Sequence, residues 1–493
     1  MSLGEAAHSV GELFVSLEGE PSTRVTGMAH DSRKVAPGDL FVCVPGGTSD
    51  GHDHAPQALG AGAVALVVER PLGMGAPELV VTDARKSLGR LAAELLKRPA
   101  KALELIGVTG TNGKTTTAYL LESILRAAGR TTGLIGTVET RIGDHARPGV
   151  RTTPESLDLQ LLLWEMKERG VESVVMEVTS HALVLHRVEG LRFASAAFTN
   201  LSQDHLDFHA DMEDYFAAKR LLFQPERLAT GAINVDDRYG RVLFGEVSVP
   251  CVGYGVAEDA QVRGSDVRLG RWCSDLVVSV ASEAQADIGL RTFLLGQFNV
   301  SNCLAACATA LQIGVPAEAI ATGIRELKAV PGRFEPVDEG QPFTVVVDYA
   351  HTPDSLDNVL RAARRLADHT GGRVLCAFGC GGDRDRGKRP LMGAAAARLA
   401  DVVIVTSDNP RSEDPHAIID QVIEGVMAVR PTGPDEILVD RREAIRVLCA
   451  AGRPGDVVVI AGKGHETGQE FAEATVPFDD RVEARAALRE LAR

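Results

Sequence analysis

Aromatic residues make up only 4% of this 493-residue chain, and cysteines number eight. Cysteine this sparse excludes a disulfide framework, and reduced, buried thiols are expected. Cys303/Cys307 and Cys376/Cys380 share a four-residue spacing. The first pair lies in an alanine-rich helical pattern without nearby histidines and Cys376 in a strand-like run, so neither pair reads as a metal site. No stretch approaches the ~18 consecutive apolar residues of a membrane span, so no membrane insertion is expected. The opening MSLGEAAHSVGELF lacks a basic segment followed by an apolar core, so the expectation is a cytoplasmic chain without a secretory leader. A basic excess is missing as well. The formal charge of −15 argues against a binder of nucleic-acid backbone and fits a solvated acidic surface. Internal repeats and low-complexity tracts are also absent from the sequence.

What the chain does have is length and glycine. At ~100–200 residues per domain it divides into roughly three, and its 50 glycines are spread among strand–loop–helix boundaries. Residues 1–98 carry short strand-like runs (Leu40–Val44, Ala63–Val68, Leu79–Val81) and a helical pattern, Ser87–Leu96. From 99 to 331, strands Ala102–Val108, Ser173–Val178, Ala194–Phe198 and Ala232–Asn234 alternate with helices Thr115–Ala128, Ser156–Glu168 and Met212–Phe223. That rhythm predicts an α/β domain with a mostly parallel sheet. Cys251–Thr292 is strand-rich and predicts an antiparallel excursion before helix Asn299–Leu311. After Val330-Pro331-Gly332-Arg333 the βα rhythm restarts, predicting a Rossmann-like, doubly wound domain over 332–493.

Gly110-Thr111-Asn112-Gly113-Lys114-Thr115-Thr116 lies between a strand and a helix. There, backbone N–H groups, a helix N-terminus and the Lys114 charge wrap phosphate oxygens, while the Thr115 hydroxyl can hold Mg²⁺. The expected ligand is ATP or a similar nucleoside triphosphate. The strict pattern has glycine where this chain has Val108, so the loop is a variant anchored by Gly110 and Gly113.

Ligands of open α/β sheets bind beyond the strand carboxyl ends. Glu177 ends a strand there, placed either to meet the Mg²⁺ held by Thr115 or to serve as a buried cap. Thr199–His209 packs many polar groups at the next strand end, and this crowding favours His205 as a metal ligand over a structural histidine. Lys219, by spacing, is an ordinary partly exposed helix lysine. Three later strand ends present Arg384, Asp408-Asn409-Pro410-Arg411 and Gly462-Lys463-Gly464-His465-Glu466. Two guanidiniums for carboxylates and a glutamate for an ammonium describe an amino-acid pocket, with plain surface charge as the alternative.

These motifs together resemble the Mur ligase family, over nearly the whole chain. Its phosphate loop matches Gly110–Thr116, and Asp31–Phe41, with Ser32, is similar to its uridine-nucleotide segment. Arg151–Pro154, Met176–Leu183 and Asn200–His205 resemble its central substrate and magnesium motifs. Gly296–Asn299 resembles the nucleotide-base contact, and Arg333 with Asp348-Tyr349-Ala350-His351 resembles the third domain's share of the ATP site. The resemblance implies that Lys219 is carbamylated and helps hold a second Mg²⁺, with Lys114, Glu177, His205 and Lys219 as the catalytic set. It implies that Thr152, Thr153, Thr179, Ser180 and Arg187 surround a muramyl dipeptide, with Thr179 where serine is commoner. Asp408–Arg411 matches members that add meso-diaminopimelate, whose distal carboxylate lysine lacks; Arg384, Gly462 and Glu466 complete that pocket.

The implied reaction joins meso-diaminopimelate to UDP-N-acetylmuramoyl-L-alanyl-D-glutamate through an acyl phosphate, in peptidoglycan precursor synthesis, by a monomer. A lysine-adding relative, the related folylpolyglutamate synthetase and a nucleotide-dependent switch are the alternatives. The Asp31–Phe41 and Asp408–Arg411 segments disfavour the synthetase, and three substrate-like loops disfavour the switch.

Overall fold

Strands buried on both faces need apolar residues at every position, and the central segments supply them. The computed structural model describes residues 1–47, 49–270, 273–281 and 286–491. Among these, strand Glu104–Thr109 sits inside an eleven-stranded sheet, with Phe193–Phe198 on one side and Ser173–Glu177 on the other. Side chains alternate along it with the period of two that a pleated strand imposes. Ile106 and Val108 enter one core, with Leu120, Ile124 and Leu304 from helices Lys114–Ala127 and Gln297–Gln312. Leu105 enters the opposite core, with Met176, Phe198 and Tyr215. The middle of the sheet is parallel. The strand-rich stretch after Cys251 extends this same sheet: Cys251–Gly255 and Val262–Leu269 pair in parallel, and only the later hairpins are antiparallel. Residues 271–272 and 282–285 of that stretch lie outside the described residues.

A five-stranded sheet precedes this unit and a six-stranded sheet follows it. In the latter, Thr344–Asp348, Val457–Ala461, Val374–Phe378 and Val402–Thr406 run parallel in that order. Asp348, Ala461 and Phe378 stand level, so the loops that follow these strands crowd one edge. Apolar faces on both sides of this sheet bury its strands, as βα crossovers require.

Several element boundaries differ from expectation. The strand expected from Ala102 starts at Glu104, because Pro99 opens a 3₁₀ turn after left-handed Arg98. The helix expected from Ser87 starts at Ala84, where the Asp83 carboxylate accepts from the Lys86 N–H. Helix Met212–Arg220 tightens into a 3₁₀ turn at Leu221–Phe223.

The third sheet's loop-bearing edge is held by an ion pair in which both side chains have zero exposure. Arg441 donates two hydrogen bonds of 2.7 Å to Asp480, and others to the carbonyls of Ser407 and Ala461 at two strand ends. Removing one partner strands a buried charge. Asp480→Ala is therefore expected to cost about 3 kcal/mol or more of unfolding free energy, measured by urea titration. A loss below about 1 kcal/mol, the range of exposed pairs, would contradict that role.

Candidate active site

Parallel register brings three loops to one level. Glu177 pairs with Val108 and Phe198 with Thr109, so Gly110, Val178 and Thr199 leave the sheet side by side. Val108, where the strict phosphate-loop pattern has glycine, is a fully buried strand residue facing the core. The tight backbone begins only at Gly110, whose φ is +145°, and returns at Gly113, whose φ is +84°. A Cβ on Gly110 would strike Thr199 Oγ1, and one on Gly113 would strike Asn302 Oδ1. Both positions therefore need glycine for space as well as for conformation.

Lys114 opens the helix and folds back over its own loop, donating to the carbonyls of Gly110 at 3.0 Å and Thr111 at 2.7 Å. Burial lowers its pKa. Glu177, 1% exposed, accepts from the Thr115 hydroxyl at 3.1 Å and from Thr137 through both N–H and hydroxyl. Arg333, from the chain entering the third sheet, also donates to Thr115 Oγ1. Thr152 meets Thr137, and Thr153 donates to the Glu177 carbonyl and accepts from the Thr179 N–H. Arg187 donates to the Thr153 carbonyl and pairs with Glu155 at 2.7 Å.

On the other side of the loop, Lys219 is 1% exposed. Its Nζ donates to the Gly110 carbonyl at 2.8 Å and lies 4.5 Å from the Tyr215 ring centre. Burial, then the charge of Lys114, drives its pKa well below that of an ordinary lysine. This corrects the reading of Lys219 as a partly exposed helix lysine. His205 adopts φ +55° and approaches Asp204 at 3.4 Å. Desolvation lowers its pKa against the pull of Asp204, which favours the neutral ring whose nitrogens can ligate metal.

A cavity of about 900 Å³ is lined by Thr111–Thr116, Glu177, Thr152, Thr153, Thr179, Arg187, His205, Arg333 and Asp348, while Lys219 lies behind its wall. A second cavity, of about 610 Å³, contains Arg384, Asp408, Asn409, Arg411, Gly462 and Glu466. The two share walls, among them Asp204, His205, Tyr349, His351 and Asp354. Asp348, buried at the edge of the first cavity, accepts from the N–H groups of Phe334 and Ala350, and burial raises its pKa to about 6.

Some expected site residues sit behind the walls. Asn299 donates to the Leu295 carbonyl and accepts from Asn302, which itself lines the first cavity. Ser180 bonds His209 at 2.9 Å, and Pro410 underlies the loop carrying Arg411. Ser32 stands apart in the N-terminal unit, bonded to Gln57. Sequence reasoning missed Thr137, which follows no motif, and Asp354, whose carboxylate accepts from Asn112 and Ser202 at 2.8 Å each. It also missed Asn302, although that residue lies one helical turn beyond Asn299.

Three family descriptions match successive parts of the chain. The description "Mur ligase family, catalytic domain" matches residues 24–95, "Mur ligase middle domain" residues 108–310, and "Mur ligase, glutamate ligase domain" residues 332–464. The UDP-N-acetylmuramoyl-L-alanyl-D-glutamate–2,6-diaminopimelate ligase of Streptomyces avermitilis is 49% identical over 480 residues, covering 96% of this chain and 94% of the relative. A solved structure of a ligase of that name superposes with a TM-score of 0.72 at 33% identity, over 100% of this chain and 99% of the other. The MurF ligase of Thermotoga maritima, solved with ADP, shares the fold with a TM-score of 0.61 at 20% identity, over 95% and 97% of the two chains.

The loop geometry makes a direct prediction. Gly113→Ala must strain a left-handed turn and displace Asn302, so ADP affinity measured by calorimetry is expected to fall at least about tenfold. Unchanged affinity would contradict the assignment of this loop to phosphate.

Proposed function

The chain belongs to the Mur ligase family, and from that premise we propose that it joins meso-diaminopimelate to the D-glutamyl residue of UDP-N-acetylmuramoyl-L-alanyl-D-glutamate. ATP is cleaved to ADP and phosphate as the amide forms. The observation that carries this reading is the pair of cavities with common walls: one lined by a phosphate loop, the other by two arginines and a glutamate.

In the first step, the γ-carboxylate of the D-glutamyl residue attacks the γ-phosphorus of ATP, forming an acyl phosphate and releasing ADP. Lys114 and the loop N–H groups offset charge growing on the transferred phosphoryl oxygens. In the second step, the amine attacks the acyl carbon, and phosphate leaves with one former carboxylate oxygen. Thr152, Thr153, Thr179 and Arg187 orient the acceptor, with Ser180 acting from behind them through His209, and the shared wall excludes water that would hydrolyse the intermediate.

The hard oxygen donors of Thr115 and Glu177 suit Mg²⁺, which binds through few protein carboxylates together with substrate phosphates, and His205 suits a second ion. Mg²⁺ would supply charge neutralisation on the phosphates. Lys219 is proposed to carry a carbamate: its neutral amine adds CO₂ and releases a proton. A buried lysine with lowered proton affinity favours that neutral amine. Ser32 belongs to the nucleotide end of the acceptor. Action as a monomer is part of the same proposal, and the UDP-activated substrate supports a cytoplasmic site of action.

Amino-acid choice tests the reading. ADP release is expected to require diaminopimelate, with lysine at least about a hundredfold poorer because it brings no distal carboxylate for the Arg411 guanidinium to bind. Arg411→Lys should narrow that ratio mainly by slowing diaminopimelate. Equal use of both amino acids by the unaltered chain would defeat the assignment.

A further inference from the structure

Lys463 lies just behind the wall of the second cavity and is the least expected residue there. Its side chain has zero exposure, yet it lies between Gly462 and Glu466, which both line the cavity. A buried lysine requires polar partners, and its partners are specific. Nζ donates to Asn409 Oδ1 at 2.8 Å and to Glu466 Oε2 at 3.0 Å.

These bonds remove the freedom of both partners. Asn409 Oδ1 accepts from Lys463 and also from the Glu470 N–H at 3.0 Å, so the amide cannot flip. Its Nδ2 is thereby aimed at Glu466 Oε2, which it reaches at 2.8 Å. Two donors therefore converge on Oε2. Glu466 Oε1 is left without a protein partner among the described residues, on a side chain 31% exposed in the cavity wall. Also in the cavity wall, Arg411 is anchored by Glu470 at 2.7 Å and by the Gly382 carbonyl.

We propose that Lys463 is a positioning residue for amino-acid selection: it locks Asn409 and Glu466 so that Glu466 Oε1 alone faces the cavity as the acceptor for a substrate ammonium. This inference rests on the diaminopimelate reading above and adds to it a residue that acts through Glu466 without touching substrate. Removing Nζ leaves each partner one hydrogen bond, Asn409 Oδ1 from Glu470 and Glu466 Oε2 from Asn409, so Lys463→Met should fold.

Steady-state kinetics on Lys463→Met, Glu466→Gln and the double variant test the proposal. In Lys463→Met, KM for diaminopimelate is expected to rise about thirtyfold, the scale of a charged hydrogen bond. KM for ATP and hydroxamate formation with hydroxylamine replacing the amino acid should stay within about threefold, since neither uses Glu466. On the Glu466→Gln background, the Met substitution should add little. A KM for diaminopimelate within about threefold of the unaltered chain overturns the proposal. So does a full additional loss on the Glu466→Gln background, or hydroxamate formation that falls in step. Lys463→Gln, which retains one donor, repeats the test if the Met variant is not recovered. Failure of the unaltered chain to use diaminopimelate at all would instead count against the function proposed above.

Discussion

One carbonyl oxygen, that of Gly110, accepts hydrogen bonds from two lysines, the half-buried Lys114 at 3.0 Å and the buried Lys219 at 2.8 Å. Two amines cannot share one acceptor away from water unless their charge is offset or given up. The site answers in both ways. Lys114 stands where phosphate charge is expected, and burial favours the neutral form of Lys219. The left-handed turn at Gly110 aims its carbonyl at both, and Thr199 forbids any side chain there. The phosphate loop and the helix bearing Lys219 are thus fixed to each other by a backbone atom.

The same economy links the larger units. Asp354, at the start of helix Pro353–Thr370, binds Asn112 of the phosphate loop and Ser202 of the neighbouring loop. Arg333 reaches Thr115 from the same side and stacks over Tyr349, 4.4 Å from its ring centre. The Asp354 and Arg333–Thr115 contacts tie the phosphate loop and its helix to the unit of the third sheet, so the two ligand-bearing edges face each other. An acyl intermediate made at one edge lies within reach of an amine held at the other, and that proximity is itself a large catalytic term.

Periodicity and punctuation made the architecture legible, because strands buried on both faces read as apolar runs and their ends carry glycine and polar clusters. The strand-end rule picked out Glu177, His205 and three loops of the last sheet, all of which line the two cavities. Lys219 shows the limit of spacing read residue by residue. It lies four residues after Tyr215 and three before Leu222, within a buried stripe, and only attention to that stripe would have marked it as interior. Thr137 and Asp354 carry no such mark: their roles arise from loops meeting across the fold. The hairpin Glu139–Ile142/His145–Pro148 was likewise illegible, being short and exposed on its outer strand.

The central claim is that a carboxylate is activated as an acyl phosphate in the cavity between Lys114 and Glu177. Oxygen transfer tests this most directly. With ¹⁸O in both oxygens of the D-glutamyl γ-carboxylate, the phosphate released per amide bond should carry one ¹⁸O atom, read by mass spectrometry or by the ³¹P isotope shift. Phosphate free of label, with amide formed at the normal rate, would contradict the account.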